Sequence, residues 1–242
     1  MPKHYRKSPI ANASCTFSFD LASTSDITVP GLVYAVLRNN YPVRQGSASP
    51  QRSTSDKTAT RPMAVVGIAQ FGSENGSDLV QVGPGMLRVV RSSPYDGWKY
   101  FWSRIEEALG AYRSIVSPNE IEGLSLAYNN KLDLPRSVRN IEEFLDFYPY
   151  LGSRLPQEVG PFSLAVEVSE NENDVLRFLL QPLTASTPDV TSLMLAVDYL
   201  TTEKQPISWD SVKQWMETAH TRVSEVFEGC LKDAARALFE SE

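Results

Sequence analysis

Near its start the chain alternates: Cys15, Phe17 and Phe19 interleave with Ser14, Thr16 and Ser18. A period of two is that of a half-buried strand, so residues 13–19 are predicted as β-structure. PGLVYAVLRNNYP follows, with Leu32, Val33, Val36 and Leu37 as an apolar stripe, Pro30 suited to a first helical turn, and Asn39, Asn40 and Pro42 ending it. Residues 63–91 read as a β meander of MAVVGIAQF, LVQV and MLRVV, separated by GSENGSD and GPG. Asn75-Gly76 is a hairpin signal. Gly83-Pro84-Gly85 lacks the spacing, the lysine and the following helix of a phosphate cradle, and reads as a turn.

In SSPYDGWKYFWSRIEEAL, Asp96 is placed to cap a helix whose Trp98, Phe101, Trp102, Ile105, Leu109 and Tyr112 recur at spacings of three and four. Such a stripe is core rather than a binding platform. Tyr95 precedes the cap and Tyr100 falls off the stripe, which frees both for solvent or a ligand.

From Gly123, the residues Leu124, Leu126, Tyr128, Asn130 and Leu132 alternate with Ser125, Ala127, Asn129 and Lys131, a long strand ending at Pro135. A short helix is expected in NIEEFLDFYPY. A hairpin then sends Phe162, Leu164, Val166 and Val168 one way and returns Leu176, Phe178 and Leu180. SLMLAVDYL reads as a central strand with Asp198 as its exception. SWDSVKQWMETAHTRVSEVFEGCLKDAARALFE reads as one helix of roughly 30 residues, about 45 Å long, capped by Ser208.

Written as elements, the chain runs strand, helix, three strands, helix, twice over. Residues 1–120 form a first α+β repeat and residues 121–242 a second with the long terminal helix, the two making one globular unit. GWKYFWSRIEEAL aligns with SWDSVKQWMETAH, which sets Trp98 over Trp209. The expected class is α+β: a duplicated unit, antiparallel sheet or sheets, two long helices on one face, and a cleft at the seam.

Composition narrows the function. With 23 basic and 29 acidic residues the net charge is −6, so no global field attracts a polyphosphate backbone. The segment 44–61, RQGSASPQRSTSDKTATR, is predicted to be a disordered, locally basic loop, either a solvated insertion or an arm for nucleic acid or an acidic partner. No run approaches the roughly 20 apolar residues of a membrane helix, and the basic start lacks the apolar stretch of a signal peptide, so a cytoplasmic location is expected. Cys15 and Cys230 are far apart and read as buried apolar groups rather than a disulfide or zinc site.

Catalytic chemistry finds no foothold in the pattern. His220 sits between Ala219 and Thr221 with no nucleophile motif in view and reads as structural, and the Glu106-Glu107 and Glu142-Glu143 pairs read as solvated surface. Neither a catalytic residue, a metal nor a cofactor is assigned. Tyr128 and Asn130 interrupt an apolar face, so they either hydrogen-bond internally or line a cavity. Asp198 is either a polar anchor in the cleft or a hydrogen-bonded structural acid.

SPIANASCTFSFD, LVQVGPGMLRVV, PYDGW, LAYNNKLDLP and LAVDYLTTE before a helical tail resemble a protein family scattered through bacteria and archaea, with motifs like PI-x-EA, LxQxG, PYxGW and RYxN. The resemblance spans nearly the whole chain. This sequence has Ala11-Asn12-Ala13 where the pattern carries an acid and Ala127 where it carries Arg. The family has no assigned activity, and its patchy distribution is that of accessory genes such as defence components or toxin neutralisers.

Two functions follow from these readings. The first is a non-catalytic interaction or regulatory protein, a partner of a protein encoded by a neighbouring gene in a toxin or defence system. The second is a small-molecule sensor with its cleft between the repeats, drawing on Tyr95, Tyr100, Tyr128, Asn130 and Asp198.

Overall fold

The structure, a computed structural model, describes residues 5–21, 26–48, 67–135, 141–155, 161–184, 187, 189–202 and 206–240. The alternating opening segment forms β1 (Ile10–Ser18), and PGLVYAVL forms α1 (Val29–Leu37) with Pro30 in its first turn. The helix buries Val29, Val33 and Leu37, whereas Leu32 and Val36 are exposed. The burial seam thus runs one residue off the predicted stripe, set by α1 packing beside the later helix α2. β2 (Val43–Ala48) occupies the start of the segment expected to be a loop; residues 49–61 lie outside the described residues.

The meander follows as β3 (Ile68–Gly72), β4 (Asp78–Gly83) and β5 (Met86–Ser92). Its second turn requires glycine. Gly85 has φ +64°, and a Cβ there would lie 2.8 Å from the Phe19 carbonyl oxygen. That close approach lets the Phe19 N–H donate to the Gly85 carbonyl at 2.8 Å, closing the turn against the end of β1.

Helix α2 (Trp98–Val116) has Gly97 rather than Asp96 at its N-cap, and the Asp96 carboxylate is bound by Arg91 instead. The long strand β6 (Gly123–Pro135) has the expected alternation, with Leu124, Leu126, Tyr128, Asn130, Leu132 and Leu134 buried. NIEEFLDFYPY shortens to one 3-10 turn at Ile141–Glu143. The second hairpin is β7 (Leu164–Ser169) and β8 (Asp174–Pro182), followed by β9 (Val190–Thr201).

The terminal helix is not continuous. After a 3-10 turn at Trp209–Ser211, whose Asp210 N–H donates to Ser208 Oγ, α3 runs Val212–Cys230 and α4 runs Asp233–Glu240. Leu231 adopts an extended conformation and is buried, bridging to Leu145, while Lys232 N–H donates to the Phe144 carbonyl at 2.8 Å. Burying Leu231 against the 141–146 segment outweighs helix propensity, a tertiary preference invisible in the local pattern.

The strands of the described residues join one antiparallel sheet, nine strands in the order β2-β3-β4-β5-β1-β6-β9-β8-β7. With four helices among the described residues, this is a mixed α/β architecture on a single antiparallel sheet. β1 and β6 meet at its centre, and β9 is interior as its apolar sequence implied. Phe17, Cys15 and Leu126 are fully buried there, and the Cys15 thiol lies 3.7 Å from the Met216 sulfur of α3. Burial pushes up both thiol pKa values, Cys230 to about 11 with Asp146 adding to it, so each thiol is protonated at neutral pH. No helix among the described residues is long and apolar enough to cross a membrane.

The tryptophans heading the two long helices make reciprocal contacts. Trp98 Nε1 donates to Glu217 of α3 at 3.0 Å, while Trp209 Nε1 donates to the Pro118 carbonyl just past α2 at 3.3 Å. The Arg113 guanidinium lies over the Trp209 ring, 4.6 Å from its centroid.

Candidate functional site: an aromatic cavity beside the central strand

A cavity of about 730 Å³ opens where the chain's first segment, the β5–α2 connection, β6 and α3 meet. Each element delivers side chains by its own period. Tyr128 and Asn130, two apart on β6, share one face of the strand. His220, Ser224, Phe227 and Glu228, at helical spacings, share one face of α3.

Within it, Tyr128 OH lies 2.9 Å from Tyr95 OH and 2.9 Å from His220 Nδ1, forming a three-member hydrogen-bonded relay. The Trp98 indole stacks on the imidazole at 4.4 Å with the planes 7° apart. Asn130 is fixed from below, its Nδ2 donating to the Leu195 carbonyl at 3.2 Å.

Burial reinforces the neutral state of the relay. Desolvation lowers the His220 pKa from 6.5 to about 4, against a weaker upward pull from Glu217. The same cause raises the phenols of Tyr95 and Tyr128 above their ordinary range. All three groups are therefore uncharged at neutral pH. A hydroxyl or imidazole in such a relay can point its proton either way, so Tyr95 can present a donor or an acceptor to the cavity.

The segment Tyr5–Ile10 forms the outer wall. Tyr5 OH donates to Glu228 at 2.6 Å, its ring meets Phe239 edge-on at 5.1 Å, and Lys7 N–H donates to the Phe239 carbonyl at 3.0 Å. Lys131 N–H donates to the Pro9 carbonyl at 2.8 Å, pinning the segment's other end to β6. Arg6 and Lys7 bring positive charge to this outer wall.

Of the residues singled out in the sequence, Tyr95, Tyr128 and Asn130 converge on the cavity, while Tyr100 and Asp198 do not. The Tyr100 ring is held between the guanidinium groups of Arg91 and Arg104, 4.7 and 4.9 Å away, and its OH donates to Asp78 at 3.0 Å. That network has a different task. Arg91 bonds Ser77, Asp78 and Asp96 and donates to the Pro94 carbonyl at 3.2 Å, fixing the connection that carries Tyr95.

Asp198 is directed to the other side of the sheet because it stands opposite Ala127, one residue out of step with Tyr128. His220, read as a surface or half-buried structural residue, is half-buried and lines the cavity, and Trp98, assigned to core, lines it too. The spacing of His220, Ser224, Phe227 and Glu228 was the available signal for the helix face. Nothing local announced the role of Tyr5. Among the described residues no group of three or more His, Cys, Asp or Glu side chains is arranged to hold a metal ion.

No protein-family model matches the chain, and no curated protein matches it. Among solved structures, the duplicated taurocyamine kinase from Schistosoma mansoni with bound transition state analog components aligns with 96% of this chain and 32% of the kinase chain, at 11% identity and a TM-score of 0.38. The chain therefore spans about a third of that structure's length. The di-domain ARO/CYC StfQ from the steffimycin biosynthetic pathway aligns with 89% of this chain and 97% of its own, at 8% identity and a TM-score of 0.17. At these scores neither likeness bears on fold or activity.

Proposed function

We propose that this protein binds a small organic molecule in the aromatic cavity, as a sensor or carrier. The supporting observation is the uncharged Tyr95–Tyr128–His220 relay set in a largely apolar cavity of about 730 Å³, within the size range of drug-sized ligand sites. A desolvated wall of neutral donors and acceptors favours a neutral hydroxyl or carbonyl and disfavours a buried charge. The ligand class is thus an apolar, largely planar molecule with a neutral polar group at its inner end. Arg6 and Lys7 suit an anionic group at the outer end.

The test is thermal shift against a panel of hydroxylated and carbonyl-bearing aromatic compounds. A ligand at 100 times its Kd is expected to add about 2.7 kcal/mol of stability, and Tyr128→Phe to abolish most of the shift. A flat response, or shifts unchanged in Tyr128→Phe and His220→Phe, overturns the reading.

Two inferred related halves, with both long helices on one face, would put this cavity near their seam. The strand order supports this: each half runs its later strands back to pair with its first, β5 with β1 and β9 with β6. The reciprocal Trp98 and Trp209 contacts support it too. A second reading, an interaction or regulatory protein in a toxin or defence system, is favoured by the edge strand β7, which exposes Val166 and Val168 at 39% and 47%. Pull-down from the native host with the wild type and a Val166→Lys, Val168→Lys variant tests it.

A further inference from the structure

The opposite side of the sheet carries a second, smaller depression of about 230 Å³, lined by Ser14, Arg88, Asn129, Arg177 and Asp198 with Ala127 between them. Its geometry follows from register. Ser14, Ala127, Asp198 and Arg177 stand directly opposite one another across β1, β6, β9 and β8. Ala127 has the smallest side chain in the row, so the floor dips between Ser14 and Asp198, whose Cα atoms are about 10 Å apart at two strand spacings.

The charges around the dip are unevenly matched. Glu167 takes both Nε and Nη2 of Arg177, the closer contact at 2.8 Å. Lys131 and Asp133 pair with each other at 3.0 Å farther along β6. Asp198 has no hydrogen bond or ion pair among the described residues, and Arg88 has one hydrogen bond, from Nη2 to Ser14 Oγ at 3.2 Å. Thus a carboxylate and a guanidinium face the same depression from opposite ends without meeting. Burial raises the Asp198 pKa, and Arg177 and Arg88 pull it back, which agrees with a half-buried acid lacking a direct partner.

We propose that this depression is a binding site for a small zwitterion, its ammonium group on Asp198 and its carboxylate on Arg88. A simple anion meets Asp198 and a simple cation meets Arg88, so each is opposed by one end of the site. A molecule carrying both charges satisfies both ends, and charge-assisted hydrogen bonds supply the affinity. Asn129 adds a polar side chain at the wall, its Nδ2 already donating to Asn12 at 2.7 Å.

The experiment is NMR titration with glycine, β-alanine, 4-aminobutyrate, 5-aminovalerate and 6-aminohexanoate, with butylamine and butyrate as single-charge controls. The series brackets the separation of the charged ends. At least one member is expected to bind about tenfold more tightly than either control, with amide shifts at Ser14, Ala127 and Ala196 and none at His220. Asp198→Asn and Arg88→Gln, each checked for an unchanged fold by circular dichroism, are both expected to weaken that member about tenfold. Binding no tighter than the controls, binding retained in both variants, or shifts confined to the cavity overturns the proposal. Because amide shifts separate the two sites, failure here is distinguishable from failure of the aromatic-cavity reading.

Discussion

Tyr128 and Ala127 are neighbours on one strand, yet they face opposite chemistries. Tyr128 enters a cavity where burial keeps every member of the relay neutral, while Ala127 floors a depression flanked by the Arg88 guanidinium and by Asp198, which has no hydrogen bond or ion pair among the described residues. The contrast shows how one pleated strand can line two depressions of different polarity: residues of opposite parity are solvated independently. It also shows that burial alone does not decide which charges survive. Arg91, buried on the cavity side, is retained because Asp78, Asp96, Ser77 and the Pro94 carbonyl engage its donors. Asp198 has no such hydrogen-bond partners among the described residues.

The largest effect is therefore expected from Arg91→Met. It leaves Asp78 buried without its principal counter-charge, and urea unfolding should show a loss of about 3–5 kcal/mol. Since Arg91 also fixes the Pro94 carbonyl, the variant should lose the thermal shift expected from the proposed cavity ligand as well.

Next is the pH dependence of His220. Below 6.5 the unfolded chain takes up a proton that the folded chain refuses until about pH 4. Stability should therefore fall as the pH drops from about 6.5 to about 4 and level off below. For a half-buried group the fall should be on the order of 2 kcal/mol. His220→Phe should flatten that portion of the curve.

Tyr128→Phe removes the central hydroxyl of the relay and leaves Tyr95 OH and His220 Nδ1 without their shared partner, for a loss of about 1–2 kcal/mol. The smallest effect runs the other way. Asp198→Asn removes a half-buried carboxylate that has no hydrogen bond or ion pair among the described residues, so it should stabilise the protein at pH 7 by about 0.5–1 kcal/mol. The sign follows from its raised pKa: the ionised acid opposes folding at neutral pH, and the advantage of Asn shrinks as falling pH protonates the wild-type side chain. A loss of stability in Asp198→Asn would mean that the two sides of the sheet do not differ as described.

The strands were largely legible because alternation is a local signal: β6 was delimited at both ends by its own sequence, and both hairpins were marked by their turns. Tyr128 and Asn130 stood out as polar interruptions of a buried face, and the structure assigns them a cavity edge. Cross-strand register was not legible, since no local pattern says that Asp198 will stand opposite Ala127 rather than Tyr128. The helix break at Leu231 depends on Leu145, far away in sequence, and the outer wall depends on Tyr5 reaching Glu228. Such long-range pairings leave no periodic trace. The place of His220 in the cavity was not legible, because a lone histidine in a helix does not show that Tyr128 and Trp98 will be brought against it.

The most direct test of the neutral cavity is an NMR pH titration of the His220 ring, readily resolved because the sequence contains only two histidines and His4→Gln leaves one. The ring resonances are expected to stay those of a neutral imidazole through pH 6 and to titrate near 4. Titration near the ordinary value of 6.5 would show an imidazole open to water, and would contradict a cavity built around uncharged groups.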